Sequence, residues 1–250
     1  MPTEFERAER AGLDVVRIGP GYFDGSGLTE AALRGGRFVA ADTLQARVDA
    51  TVQAVSGHRR LSGRGSGCLV YLYWGEVDKS GHVFGCGSWE WGEEVAQADA
   101  AVRQLAARLG PDTLLVTIAD HGMVDIGRDD RVDVGTEPVL AAGVRHVGGE
   151  ARALHLYCEP GAADDVRAAW TARLGSAVDV ASRDQAVRAG WFGPVAPRNL
   201  RRIGDLVVVT RDPIAIVDSR TARPELLRLI GMHGAQTEEE QLIPMLVTTG

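Results

Sequence analysis

Short apolar runs separated by helix-like segments are the feature that most constrains the fold of this chain. Polar residues do not alternate with apolar ones inside the runs, so the runs predict strands buried on both faces, as in a parallel sheet covered by helices. The runs are LDVVRIG from Leu13, CLVYLYW at 68–74, TLLVTIA at 113–119, LVVVT at 206–210, AIVD at 215–218 and PMLVTT at 244–249.

Two segments between these runs have the spacing of amphipathic helices. Residues 41–55 have a capping candidate in Asp42, and residues 88–110 begin at Ser88, carry acidic residues in the first turn and end at Gly110-Pro111. Because strands and helices alternate, we predict an α/β fold with a largely parallel sheet flanked by helices.

The region 131–224 is predicted to contain two strand–helix pairs. HLYCEPGAADDVRAAWTARLG predicts a strand followed by a helix, and AVDVASRDQAVRAGWFG predicts a second, shorter pair. We therefore predict a core domain formed by residues 1–130 and 225–250 and an inserted cap subdomain formed by residues 131–224. Residues 56–67, SGHRRLSGRGSG, are polar and glycine-rich and predict a loop in which His58 is solvated.

Composition excludes several classes of protein. The net charge is −7, from 27 basic and 34 acidic residues without a basic patch, which argues against binding to a nucleic-acid polymer. No apolar run is long enough to span a membrane, and the start of the chain lacks a signal-peptide pattern, so we expect a cytoplasmic protein without a membrane partner. The three scattered cysteines fit neither a disulfide framework nor a zinc finger.

The residues that indicate chemistry follow two of the predicted strands. Asp78 and His82 come just after the run at 68–74, and Asp120 and His121 directly follow the run at 113–119. Ligand sites in open parallel sheets form beyond the carboxyl ends of the strands, so the two Asp-His pairs are expected to share one crevice. Carboxylate oxygen and imidazole nitrogen together suit zinc and similar divalent ions.

A third histidine, His233 in GMHGAQTEEEQ, completes the predicted ligand set. Each of the three histidines is next to a glycine, which permits sharp turns and close approach of the backbone. A single Asp-His pair after a strand is more often a hydrogen-bonded turn than a metal site, but two such pairs and an HG turn together favour a metal site. We interpret His146 and His155 as hydrogen-bonded strand residues, and Glu238–Glu240 as the acidic first turn of a helix.

YWGEVDKSGHVFG, a long helix, a buried strand and IADHGMVD together resemble the alkaline phosphatase superfamily. The resemblance is to its nucleotide pyrophosphatase/type I phosphodiesterase branch, which includes bacterial proteins, and MHGAQTEEEQLIPMLV is similar to the terminal HG element of that branch. The match covers residues 68–124 and 232–247. It implies an alkaline phosphatase-like fold and a metal-dependent hydrolase of phosphoric esters, with a small phosphate ester or a nucleotide as substrate.

The resemblance also implies two divalent metal ions, zinc first and manganese or iron as alternatives. Asp78, His82 and His233 would hold one ion, and Asp120 and His121 would hold the other. Two cations about 3.5–4 Å apart can clamp a phosphoryl group and stabilise both the attacking and the leaving oxygen.

Two further elements of the superfamily are not matched. These are an early strand ending in an Asp ligand and a Thr or Ser nucleophile, and neither is found in the 77 residues before Asp78. Asp24-Gly25 follows PGYF rather than an apolar strand, and Ser26 and Thr29 are better explained as helix caps. We therefore expect the carboxyl-terminal part of a longer enzyme, with an incomplete second metal site, no assigned catalytic or substrate-binding residue, and an exposed sheet edge that causes association.

Three hypotheses remain open on the sequence alone. The chain is part of a metal-dependent hydrolase of phosphoric esters that is active only together with the missing amino-terminal portion, a non-catalytic remnant that binds a metal or a partner, or an α/β interaction module whose histidines are structural.

Overall fold

A computed structural model of the chain describes residues 1–62 and 67–249. The described residues divide into two compact units. The first unit draws on Met1–Val77, Glu93–Ile118 and Met245–Gly250, and the second on Asp78–Gly92 and Ala119–Pro244.

The helices are α1 (Glu4–Arg10), α2 (Gly27–Ala32), α3 (Leu44–Ser62), α4 (Glu76–Phe84), α5 (Trp89–Arg108), α6 (Pro138–Ala141), α7 (Ala163–Leu174), α8 (Arg183–Arg188) and α9 (Glu238–Gln241). The strands are β1 (Asp14–Gly19), β2 (Arg37–Ala40), β3 (Cys68–Leu72), β4 (Leu114–Ile118), β5 (Val124–Asp125), β6 (Arg131–Asp133), β7 (Val144–Glu150), β8 (Ala153–Cys158), β9 (Val178–Ser182), β10 (Leu206–Thr210), β11 (Ala215–Val217), β12 (Gly231–Met232) and β13 (Met245–Thr249).

A parallel sheet forms the centre of the first unit. β1 lies between β2 and β3 and pairs in parallel with both. Val16 and Ile18 on β1 are buried against Ala54 of α3, so the helix covers one face of the sheet. The predicted α/β class with a parallel sheet and flanking helices is confirmed.

Helix α3 corrects the prediction of a loop at 56–67. The helix continues through Gly57 to Ser62, and residues 63–66 lie outside the described part of the chain. A glycine inside a helix costs only about 1 kcal/mol, and the packing of α3 on the sheet offsets this cost. The expectation that His58 is solvated is also wrong, because its side chain is only 8% exposed.

The pair β4–β13 differs from the prediction of strands buried on both faces. The two strands are antiparallel, and only one face of β4 is covered, where Leu115 packs with Val48 and Leu105. Leu114 and Ile118 on the other face are exposed. A continuous apolar run therefore predicted the strand but not its burial.

An antiparallel sheet in the order β7–β8–β10–β9 forms the core of the second unit. Along its inner strand β10, Leu206 and Val208 pack with Trp170 on one face, and Val207 packs with Ala186 on the other. The run LVVVT is therefore buried on both faces, as predicted, but its neighbours are antiparallel. Burial on both faces explains an apolar run whatever the direction of the neighbouring strands.

Local predictions in the region 131–224 are confirmed. The two predicted strand–helix pairs are β8 with α7 and β9 with α8. All these residues belong to the second unit, and the domain boundaries at 130/131 and 224/225 stay a prediction. Within the described residues, no helix combines the length and apolar character needed to cross a bilayer.

Candidate metal centre

Helix α4 presents Asp78 and His82 on one face, because residues four apart on a helix lie one turn from each other. The Asp78 Oδ1 atom is 3.4 Å from His82 Nε2. The helix starts four residues after the end of β3, so the first predicted pair lies beyond the carboxyl end of its strand, as the sequence indicated.

The short ladder between β5 and β12 brings the other two histidines to the same place. Met232 pairs with Val124, so the segments that carry His233 and His121 run side by side. Their rings stack with centroids 3.7 Å apart and 19° between the planes. From Asp78 Oδ1, the Nε2 atom of His121 is 4.0 Å away and that of His233 is 3.9 Å away. Four of the five predicted ligands thus converge.

Asp120 lies at the margin of this cluster. Its Oδ1 atom is 3.8 Å from His121 Nε2, but its side chain is 79% exposed. The distribution of the five residues over two ions stays a prediction.

Backbone carbonyl groups hold two of the histidines in the tautomer that binds metals. His82 Nδ1 donates to the Gly231 carbonyl over 2.7 Å, and His121 Nδ1 donates to the Gly122 carbonyl over 2.9 Å. Because a carbonyl oxygen can only accept, the proton is on Nδ1, and in the neutral form of each ring the lone pair is on Nε2, where it can bind a metal.

The carboxylate of Asp78 provides the test of whether these residues fit a cation. Its Oδ1 atom is buried and has no hydrogen-bond partner within the described residues. The atom faces imidazole nitrogens at 3.4–4.0 Å, and a neutral Nε2 with a lone pair cannot donate to it. A divalent cation would satisfy these electron-pair donors together. Burial lowers the pKa of His233, although the Asp78 and Glu150 carboxylates oppose this shift, and a lowered pKa favours the neutral ring that metal binding requires.

A buried ion pair that the sequence analysis missed supports the loop after His233. Arg152 and Glu240 are 0% and 1% exposed and form two hydrogen bonds of 2.9 Å. The Glu240 carboxylate also accepts from Ala235 N and Thr237 Oγ1. The prediction of an acidic first turn is correct for α9, but a run of three glutamates does not indicate which one is buried.

Two of the glycines next to histidines have the roles that the sequence indicated. A Cβ at Gly122 would lie 1.9 Å from the Glu239 carbonyl oxygen, and Gly122 N donates to the Glu240 carbonyl over 2.8 Å. Gly234 has a φ of +124°, which side-chain-bearing residues rarely adopt. Glycine therefore permits both the close approach of α9 to the His121 turn and the turn after His233.

A cavity of about 280 Å³ adjoins the metal centre, and His82 and His233 form part of its wall. Most of the remaining wall is apolar, as at Ile216 and Leu229, and the wall also includes the acidic residues Glu150 and Asp218. The lining contains no lysine or arginine among the described residues. This cavity can take the organic part of a small ligand whose charged part lies at the histidines.

An α/β fold with Asp-His pairs after two strands and a third histidine in an HG turn is the arrangement that the resemblance to the alkaline phosphatase superfamily implies. Residues 6–236 match the family model described as type I phosphodiesterase / nucleotide pyrophosphatase, and the chain belongs to this family. None of the curated protein sequences is significantly similar to the chain.

Solved structures confirm the fold. An inactive variant of murine ectonucleotide pyrophosphatase/phosphodiesterase 5 in complex with AMP superposes with a TM-score of 0.67 at 16% identity, over 96% of this chain and 61% of that one. Phosphonoacetate hydrolase from Sinorhizobium meliloti in complex with phosphonoformate gives a TM-score of 0.64 at 18% identity, over 98% of this chain and 68% of that one. The chain spans about three fifths of the length of the murine protein.

Proposed function

We propose that this chain acts in the hydrolysis of phosphoric esters as a metal-dependent phosphodiesterase whose substrate is a small phosphate ester or a nucleotide. The observation that carries the proposal is the buried, unpartnered Asp78 Oδ1 atom facing three imidazole Nε2 atoms. Membership in the type I phosphodiesterase / nucleotide pyrophosphatase family supports it.

In the proposal, Asp78, His82 and His233 hold one divalent ion, and Asp120 and His121 contribute to a second. Zinc suits this mixture of carboxylate oxygen and imidazole nitrogen best, and manganese or iron are alternatives. When bound, such ions supply positive charge that polarises a phosphoryl group and lowers the pKa of a coordinated hydroxyl.

The residues of the chain orient this centre and receive the substrate. The carbonyls of Gly231 and Gly122 fix the rings of His82 and His121 before any ligand arrives, so little reorganisation is needed on binding. Glu240 holds Ala235 and thereby the segment after His233. The cavity beside the histidines, whose wall is mostly apolar, receives the organic group of the ester.

The ligands of the similar structures support a phosphorus-containing substrate. The murine protein is bound to AMP, and the Sinorhizobium meliloti enzyme is a phosphonoacetate hydrolase bound to phosphonoformate. Both ligands combine a tetrahedral phosphorus group with a small organic part, which matches a polar histidine cluster beside a cavity of about 280 Å³.

Hydrolysis of bis(4-nitrophenyl) phosphate by the zinc-loaded chain tests the proposal. We expect release of nitrophenol that stops after treatment with a chelator, returns when zinc is restored, and is absent from the Asp78→Asn variant. An absence of nitrophenol release from the zinc-loaded chain would contradict hydrolysis.

A second candidate function is metal or partner binding without turnover. The observation that favours it concerns Ser26 and Thr29, which follow Asp24-Gly25 and are the hydroxyl residues that the sequence analysis considered for the nucleophile of the superfamily. Ser26 is the N-cap of α2 and accepts from Thr29 N, and its hydroxyl donates to Thr29 Oγ1. Both hydroxyls therefore have structural roles. Zinc binding that depends on Asp78, together with an inactive chain, would favour this second function over hydrolysis.

A further inference from the structure

A second cluster of side chains that can bind metal lies in the first unit, whereas the residues of the candidate metal centre belong to the second unit. Asp14, His58 and Cys68 each offer one ligand atom, and the three atoms lie within 4.8 Å of one another. His58 Nδ1 is 3.6 Å from Asp14 Oδ2. The function proposed above uses none of these residues.

The packing of α3 on the parallel sheet builds this cluster. Asp14 and Cys68 are the first residues of β1 and β3 and are direct partners in the parallel ladder. Side chains two residues apart on a strand share a face, so Asp14 lies on the same face as Val16, which packs with Ala54 of α3. His58 is one helical turn beyond Ala54. The apolar seam between helix and sheet therefore ends in an oxygen, a nitrogen and a sulfur donor.

The spacing of the nitrogen and oxygen donors is close to that expected around a single zinc-type ion, and the sulfur donor lies within 4.8 Å of both. Oxygen and nitrogen atoms bound at about 2.1 Å to one tetrahedral zinc stand about 3.4 Å apart, and a sulfur bound at about 2.3 Å stands slightly farther from each. The 3.6 Å between His58 Nδ1 and Asp14 Oδ2 is close to this value. A cysteine sulfur selects zinc, cobalt and similar ions over magnesium or calcium, which prefer oxygen.

We propose that Asp14, His58 and Cys68 bind one zinc-type ion, with water as the fourth ligand, and that this ion ties β1, β3 and α3 together. The His58 side chain is 8% exposed and the Asp14 side chain 41%, so the site has a sheltered side and an opening to solvent. Binding replaces the thiol proton of Cys68, which is released to solvent, by the metal–sulfur bond.

The state of Cys68 without a metal argues against a reactive nucleophile at this cluster. Burial and the Asp14 carboxylate raise the pKa of the Cys68 thiol, although Arg37 opposes this shift, and a raised pKa disfavours the thiolate that a nucleophile requires. A bound divalent cation is the species that would favour the thiolate at this position.

Cobalt(II) titration of the full chain, freed of metal by a chelator, tests the proposal. Thiolate bound to cobalt gives an intense charge-transfer band in the near ultraviolet, and the predicted ligands of the other centre include no thiol. We expect cobalt in excess over all the proposed sites to produce this band, with an amplitude that corresponds to one thiolate-bound cobalt per chain, and added zinc to abolish it. Absence of the band in the wild-type chain would overturn the proposal.

Variants assign the band to this cluster. Cys68→Ser should lose the band and one equivalent of zinc per chain, whereas Cys86→Ser, at a cysteine of similar exposure, should keep both. His58→Gln and Asp14→Asn should each weaken cobalt binding at least tenfold. Circular dichroism checks that each variant is folded. Because three variants test the cluster, the assignment of the band does not depend on the folding of any one of them. A band that persists in Cys68→Ser, or that disappears in Cys86→Ser, would overturn the proposal. Because Asp78→Asn should keep the band, failure here is distinguishable from failure of the proposed hydrolase.

Discussion

At the scale of single residues, the candidate metal centre depends on one carboxylate oxygen. Asp78 Oδ1 is the atom from which the Nε2 atoms of His82, His121 and His233 are 3.4–4.0 Å away. We expect Asp78→Asn to weaken zinc binding at this centre by at least about tenfold, because a neutral amide replaces the charged donor without changing its size. Competition with a chromogenic chelator measures the affinity.

Asp120→Asn separates the two predicted ions. If Asp120 and His121 hold a second ion, this variant should lose one equivalent of zinc and keep the ion held through Asp78. Both variants are measured in the Cys68→Ser background, so that the thiol cluster contributes no ion. Unchanged zinc content in Asp120→Asn would contradict the second ion, and unchanged affinity in Asp78→Asn would contradict the centre itself.

Glu240 is a residue on which stability depends, because it neutralises an arginine that is fully buried. Glu240→Gln leaves Arg152 with an uncompensated charge, and breaking such a pair typically lowers the free energy of unfolding by about 3–5 kcal/mol. Glu239→Gln, at the neighbouring exposed position, should change it by less than about 0.5 kcal/mol. Urea denaturation at neutral pH measures both values, and equal effects would contradict the role of the pair.

The same carboxylate predicts a loss of stability in acid. Burial alone would raise the pKa of Glu240, but hydrogen bonds from Arg152, Thr237 and Ala235 lower it below the ordinary value of 4.5. A carboxyl group whose pKa is lower in the folded state stabilises the protein above the ordinary pKa, and this stabilisation is lost as the pH falls through the folded-state pKa. The wild type should therefore lose more stability than Glu240→Gln when the pH falls below about 4.5. Urea midpoints at several pH values test this difference.

At the scale of elements, the apolar runs predict where strands lie but not how each is covered. LVVVT and TLLVTIA have similar composition, yet β10 is buried on both faces and β4 on one. The difference depends on which segments pack against each strand, and those contacts connect residues far apart in sequence. The i, i+4 spacing of Asp78 and His82 was sufficient to predict their shared face, because it is a property of one helix.

Two matched substitutions measure this difference between the strands. Val208 is fully buried and Val116 is 46% exposed. Val208→Ala should lower the free energy of unfolding by about 2–3 kcal/mol, from lost burial and the cavity that remains. Val116→Ala should lower it by less than about 1 kcal/mol, because the Val116 side chain is half exposed and its truncation therefore removes little buried apolar area. Equal losses in thermal or urea unfolding would contradict the burial of the two strands.

The convergence of the histidines shows why the rest of the site was harder to predict. His121 and His233 are brought together by β5 and β12, which are two residues long and too short to give a periodic pattern. The buried pair of Arg152 and Glu240 joins residues 88 positions apart. The resemblance to a family predicted a set of metal ligands, whereas the contacts that support those residues are visible only in the structure.

At the scale of the whole molecule, the pair β4–β13 leaves a continuous apolar surface. Val116 pairs with Val247 and Ile118 with Met245, so these four side chains lie on one face of the two-stranded sheet. They are 46%, 55%, 63% and 71% exposed, respectively. An exposed apolar strand pair favours association, because contact with a second copy removes this area from water.

We therefore expect the purified chain to self-associate through this face in a concentration-dependent manner. Ile118→Lys combined with Val247→Lys places two charges on the face, so that association would require their desolvation and mutual repulsion. Light scattering after size-exclusion chromatography should then give the mass of one chain at concentrations where the wild type is larger. Thr248→Lys is the matched control, because Thr248 is exposed on the same strand but directed to the opposite face, and it should leave association unchanged. A wild-type chain that is monomeric at high concentration, or a Thr248→Lys variant that dissociates like the double variant, would contradict association through this face.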